Sequence, residues 1–124
     1  MITMSYEKDG INQIEVEELE KLVNEERDNK ILIDVREVEE YDQFHIPGVP
    51  LIPMNQIPQL FEKMDKEKDY VFICRSGARS QNVALFLKDN GFNHVHNYAG
   101  GMLAWQGETA EGPEWIVKDI KEIY

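Results

Sequence analysis

The sole cysteine of this chain stands in the hexapeptide Cys74-Arg75-Ser76-Gly77-Ala78-Arg79, directly after the apolar run Tyr70-Val71-Phe72-Ile73. A strand that enters a short glycine-containing turn and then a helix aims backbone N–H groups at one point. A sulfur atom at that point lies in the positive field of a helix N-terminus and is favoured as a thiolate, the nucleophilic form. A cysteine at a strand end can equally be a small buried apolar residue. Here the company decides for a nucleophile: Gly77 permits tight curvature, two arginines follow, and a helix starts at once. Arginine is scarce, with Arg27, Arg36, Arg75 and Arg79 the full set. Two of them in one loop of a net-acidic chain mark a local anion site. With no second cysteine, a persulfide or disulfide formed at Cys74 must be discharged by an external thiol or another acceptor.

The elements that must position this loop alternate between strand and helix. Ile11 to Ile14 reads as a short strand. Glu15 to Glu26 sets Val16, Leu19, Leu22 and Val23 at helical spacing, without a well-written N-cap. Ile31-Leu32-Ile33-Asp34-Val35 is continuously apolar up to its aspartate, as a strand of a parallel sheet requires. A short helix is expected around Val38 to Asp42, and His45-Ile46-Pro47-Gly48 is a turn signal. Val49 to Ile52 is a strand weakened by Pro50 and Pro53, and Gln56 to Met64 reads as a helix. After the strand Tyr70 to Ile73, Ser80 to Asn90 aligns Val83, Phe86 and Leu87 before the terminating Gly91. A last short strand contains Val95. The pattern implies an α/β sandwich around a mainly parallel sheet. Sites in such folds form at the carboxyl ends of strands, where both Asp34-Val35-Arg36 and the Cys74 loop fall.

Composition narrows the function. The net charge of −11 argues against nucleic acid or an anionic membrane surface as partner, since both require a basic face. No apolar run approaches the ~20 residues that span a bilayer, nothing resembles a signal peptide, and the cytoplasm is the expected compartment. One cysteine excludes a disulfide framework and a multi-thiolate zinc site. His94 and His96 share one strand face but lack further ligands at recognisable spacing, so they read as surface histidines and no metal site is expected. His45 reads as a turn residue that hydrogen-bonds the backbone, and Trp105 as a core anchor.

Four blocks together resemble the rhodanese-like sulfurtransferase domains: Asp34-Val35-Arg36-Glu37 with Glu40-Tyr41, His45-Ile46-Pro47-Gly48, Cys74 to Ser80, and Gly100-Gly101 through Ala104-Trp105. They occur in family order and spacing and cover residues 11–106. The resemblance implies a three-layer α/β sandwich with a mainly parallel central sheet. It also implies a persulfide mechanism without cofactor. Cys74 would take sulfane sulfur from thiosulfate or a persulfide donor and pass it to a thiol, cyanide or a protein acceptor. Residues Arg75, Ser76, Gly77, Ala78 and Arg79 would cradle the anion. Arg79 would tie the loop down through Asp34 or Glu40, and Asp34 and Arg36 would support the site through a salt bridge or substrate contact.

Two other classes stay open. Cysteine phosphatases, some of which share the rhodanese fold, place five residues between cysteine and arginine, whereas four intervene here. The shorter loop suits a sulfur atom better than a tetrahedral phosphate or arsenate. A non-catalytic binding module of the same fold is the other alternative. Phe44 stands where the family pattern has glycine; a positive φ there would cost it ~1–2 kcal/mol and change the turn locally. Outside the resemblance lie a polar lead-in over 1–10 and an extension over 107–124. In the extension, Ile116, Ile120 and Ile123 have the spacing of an amphipathic helix packed on the domain. Oligomeric state is not fixed by the sequence.

Overall fold

The computed structural model describes residues 5–25, 27 and 29–124. Part of the lead-in (1–4), and Glu26 at the end of the first expected helix, lie outside the described residues. Strands β1 (Ser5–Lys8), β2 (Ile11–Ile14), β3 (Lys30–Asp34), β4 (Asp69–Ile73) and β5 (Val95–Tyr98) form one sheet in the order β1-β2-β5-β4-β3. The β2–β5, β5–β4 and β4–β3 pairs are parallel, so Asp34 and Cys74 come out at the same end of the sheet.

Alternation along the strands builds two cores. On β3 and β4, Leu32, Val71 and Ile73 face one side with Ile14, Leu19, Leu22 and Met102. Ile33, Tyr70 and Phe72 face the other with Ile57, Val83 and Leu87. Helix α1 (Val16–Asn24) therefore covers one face, while α3 (Ile57–Leu60) and α4 (Ala78–Asp89) cover the opposite one. This is the three-layer α/β arrangement with a mainly parallel centre. Helices α2 (Val38–Gln43) and α5 (Gly101–Ala104) sit near the strand carboxyl ends and border the cysteine loop. Among the described residues, no helix is long and apolar enough to cross a membrane.

Four local expectations need correction. The polar lead-in contains β1, paired antiparallel with β2 across Asp9-Gly10. Those two residues have φ of 54° and 81°, the double positive φ of a tight hairpin turn that Asp-Gly favours. The strand expected over Val49 to Ile52 reduces to Leu51, which bridges Asp34 and Ile116, because prolines on either side supply no N–H. The helix expected over Gln56 to Met64 is split into a 3-10 turn at Met54–Gln56, α3, and a second 3-10 turn at Phe61–Lys63.

The fourth correction is the extension. Instead of an amphipathic helix it runs extended past Leu51, which donates to Trp115 O at 2.8 Å and accepts from Val117 N at 3.1 Å. Only Ile120–Ile123 coils, as one 3-10 turn. The pairing with Leu51 uses backbone groups that a helix would need, and β-branched Ile116 and Val117 suit the extended form. Ile120 and Ile123 still enter the core beside α3 and α4, each contributing roughly 1.5–3 kcal/mol by burial.

Candidate active site

Cys74 follows β4 and is fully buried, immediately before the turn that opens α4. Its Sγ accepts three hydrogen bonds: from Gly77 N at 3.1 Å, Ser80 Oγ at 3.2 Å and Ser80 N at 3.4 Å. Gly77 has φ of 93°, and a Cβ there would fall 2.1 Å from Ala99 O. A side chain at 77 is thus excluded twice, by backbone conformation and by the main chain just after β5. The other wall of the loop is α5: Met102 N donates to Cys74 O at 2.8 Å and Leu103 N to Arg75 O at 3.0 Å. That close approach requires Gly101, whose Cβ would stand 2.3 Å from Arg75 O. Main chain therefore holds the loop on both sides while its own N–H groups turn inward to the sulfur.

The expected cradle residues divide into distinct roles. Gly77 touches Sγ through its N–H, whereas Arg75, Ser76 and Ala78 are exposed around the turn. Arg79 forms a two-pronged pair with Glu40, 2.7 and 2.8 Å. This pairing with Arg79 holds the Glu40 carboxyl down to about 2 and raises the Arg79 guanidinium in turn. Of the two carboxylates considered for Arg79, Glu40 is the partner. Asp34 is occupied by Arg36, with Nη2 to Oδ2 at 2.9 Å, and both are buried at 1% and 2% exposure. Arg36 also donates to Phe44 O at 2.8 Å.

Ser80 was not among the expected site residues, although it supplies two of the three donors to the sulfur. Its signal was present: six residues after Cys74, in the first turn of α4, a hydroxyl faces back toward the loop. Beside Arg75 lies a cavity of ≈ 80 Å³ bordered by Arg36, Glu40, Phe44, Met102 and Leu103. A larger cavity of ≈ 450 Å³, bordered by Lys68, Asp69 and Tyr124, lies near the start of β4, at the opposite end of that strand from Cys74. The smaller one adjoins the cysteine loop through Arg75; Cys74 itself is buried and does not line it.

The turn after α2 is anchored differently. Phe44 is extended, with φ of −169°, so phenylalanine bears no strain there, and its ring lies 5.6 Å from the Arg36 guanidinium carbon. His45 is buried: its ring stacks on Tyr41 at 3.7 Å, Nδ1 bonds Tyr41 O and Nε2 bonds Glu114 Oε1 at 2.8 Å. Glu114 also accepts from Gly48 N, so the extension is pinned to this turn. His96, expected at the surface, is partly buried between Asn12 and Asp69. Among the described residues, no group of three or more His, Cys, Asp or Glu could hold a metal.

Residues 15–108 match the family model for the rhodanese-like domain. The chain belongs to that family. It is 55% identical to YtwF of Bacillus subtilis over 78 residues, which is 63% of this chain and 75% of that one. A protein of Allochromatium vinosum named sulfurtransferase is 36% identical over 95 residues, covering 77% of this chain and 88% of the relative. Among solved structures, a rhodanese-like domain protein from Staphylococcus aureus superposes with a TM-score of 0.68 at 35% identity. That match covers 77% of this chain and 92% of the other. The residues matched by the family model, 15–108, contain the whole loop from Cys74 to Ser80, together with Asp34, Arg36 and Glu40.

Proposed function

We propose that this protein is a sulfurtransferase that carries sulfane sulfur as a persulfide on Cys74. The observation that carries the reading is the convergence of Gly77 N–H, Ser80 N–H and Ser80 O–H on the sulfur of the chain's sole cysteine. Such preorganised donors stabilise negative charge on sulfur before and after transfer. With thiosulfate, the Cys74 thiolate attacks the outer sulfur. The S–S bond of the donor breaks, sulfite leaves with the electron pair, and Cys74–S–S⁻ remains. An acceptor thiolate or cyanide then attacks the terminal sulfur, forming the acceptor persulfide or thiocyanate and regenerating the Cys74 thiolate.

The donor approaches through the cavity beside Arg75, whose exposed guanidinium attracts an anion. Because no second cysteine is present, the acceptor comes from outside the chain, and cytoplasmic thiols fit that need. The name of the Allochromatium relative supports the same chemistry. Against phosphoryl transfer stands Arg79: both ends of its fork are already engaged by Glu40.

Intact-mass spectrometry after incubation with thiosulfate is expected to show one added sulfur, removed by cyanide with release of thiocyanate. Cys74→Ser is expected to abolish both signals. Full transfer by that variant would overturn the proposal, and a wild-type protein inert to thiosulfate and organic persulfides alike would favour a binding module.

A further inference from the structure

A buried chain of side-chain amides runs from the N-terminal hairpin to the cysteine loop. Gln81 Nε2 donates to Lys8 O, Gln13 Nε2 donates to Gln81 Oε1 at 2.6 Å, and Asn97 Nδ2 donates to Gln13 Oε1 at 2.8 Å. Asn97 Nδ2 also donates to Gly77 O at 3.1 Å. Asn97 is 2% exposed, and its Oδ1 has no hydrogen-bond partner among the described residues. Burying an amide oxygen without a partner is unfavourable, so the value of an asparagine at this place lies in its donor end.

That donor end acts on the residue whose own N–H faces the sulfur. Gly77 O receives Asn97 Nδ2 from β5 and Gln81 N from the first turn of α4. Held from both sides, the 77–78 peptide cannot swing, and φ of 93° at Gly77 fixes the direction of the preceding N–H. Relaxing the carbonyl would let the glycine, the most permissive residue in the loop, rotate its N–H off Cys74 Sγ.

We infer that Asn97 is a positioning residue for the persulfide site, acting through the Gly77 carbonyl to keep the Gly77 N–H aimed at Cys74 Sγ. Its catalytic consequence rests on the sulfurtransferase reading; its geometric consequence does not.

The test compares Asn97→Leu with Gln81→Leu in the full chain. The second variant cuts the far end of the amide chain but retains both bonds to Gly77 O. Amide hydrogen exchange by NMR reads the Gly77 N–H directly, and cyanolysis of thiosulfate reads transfer. Asn97→Leu is expected to speed Gly77 exchange at least about tenfold. It is also expected to lower kcat about 10- to 100-fold with KM for thiosulfate little changed. Gln81→Leu is expected to lower thermal stability while leaving kcat and Gly77 exchange near wild type. If Asn97→Leu fails to fold, Gln13→Leu/Asn97→Leu removes the orphaned amide and is read in the same way. Unchanged Gly77 exchange in the position-97 variant, or an equal kcat loss in Gln81→Leu, overturns the inference. Faster Gly77 exchange in a protein whose wild type transfers no sulfur would sink the sulfurtransferase reading and leave the positioning role standing.

Discussion

Two arginine–carboxylate pairs flank the cysteine loop, and they behave as different objects. Asp34–Arg36 joins residues two apart at the end of β3, wholly out of water. Glu40–Arg79 joins α2 to α4 across 39 positions, with roughly a third of each side chain in solvent. Removing one partner of a buried pair leaves an uncompensated charge, whereas removing one partner of an exposed pair lets water take over. The buried pair is therefore a foundation: it fixes the bend from β3 to α2 and, through Phe44 O, the turn that follows. The half-exposed pair is a clamp on the first turn of α4, weaker and responsive to pH.

Arg36→Met alone should have the largest effect, about 3–5 kcal/mol of destabilisation in chemical denaturation, because Asp34 is left buried and unpaired. Asp34→Leu/Arg36→Met should recover much of that loss; a double variant as unstable as the single one would break the contrast. Glu40→Gln should cost about 1–2 kcal/mol after allowing for solvent screening, and the loss should shrink at high salt.

The pH dependence of the clamp has a definite sign. Glu40 is held at about 2 in the folded chain against an ordinary 4.5. Its contribution is present above the unfolded value and is lost as pH falls from about 4.5 toward about 2. Wild type and Glu40→Gln should therefore converge in stability across that window, which parallel denaturation curves would show. Glu114→Gln should have the smallest effect, under about 1 kcal/mol, since this carboxylate is substantially exposed. His45 and Gly48 hold Glu114 below its usual range, so its contribution also fades as pH falls. A loss as large as that of Arg36→Met would mean that the extension, and not β3, anchors the turn.

The parts of this design legible in the sequence are those written in short-range pattern. The apolar run before Cys74, the glycine at 77 and the helical spacing after it are enough to build the loop. The choice of Glu40 over Asp34 for Arg79 was not readable, because it depends on how α2 lies against α4. The tail misled because Ile116, Ile120 and Ile123 have helical spacing, yet the free backbone of Leu51, more than sixty positions away, offered Trp115 and Val117 better partners. Asp9-Gly10 did carry a hairpin signal, masked by polar flanks on strands at the sheet edge. Asn97 carries no local signal in the sequence; its contact with the Gly77 carbonyl exists only where β5 passes beside the loop.

The bonds from Met102 N and Leu103 N to the loop carbonyls have a consequence for how the site can diversify. These are main-chain bonds, so the exposed side chain at position 103 takes no part in them, while Met102 anchors α5 in the core. Leu103, 64% exposed at the border of the cavity, can be exchanged without loosening the cradle around the sulfur. On the proposed sulfurtransferase reading, recognition of an acceptor can thus drift at the rim while the backbone around the sulfur stays constant.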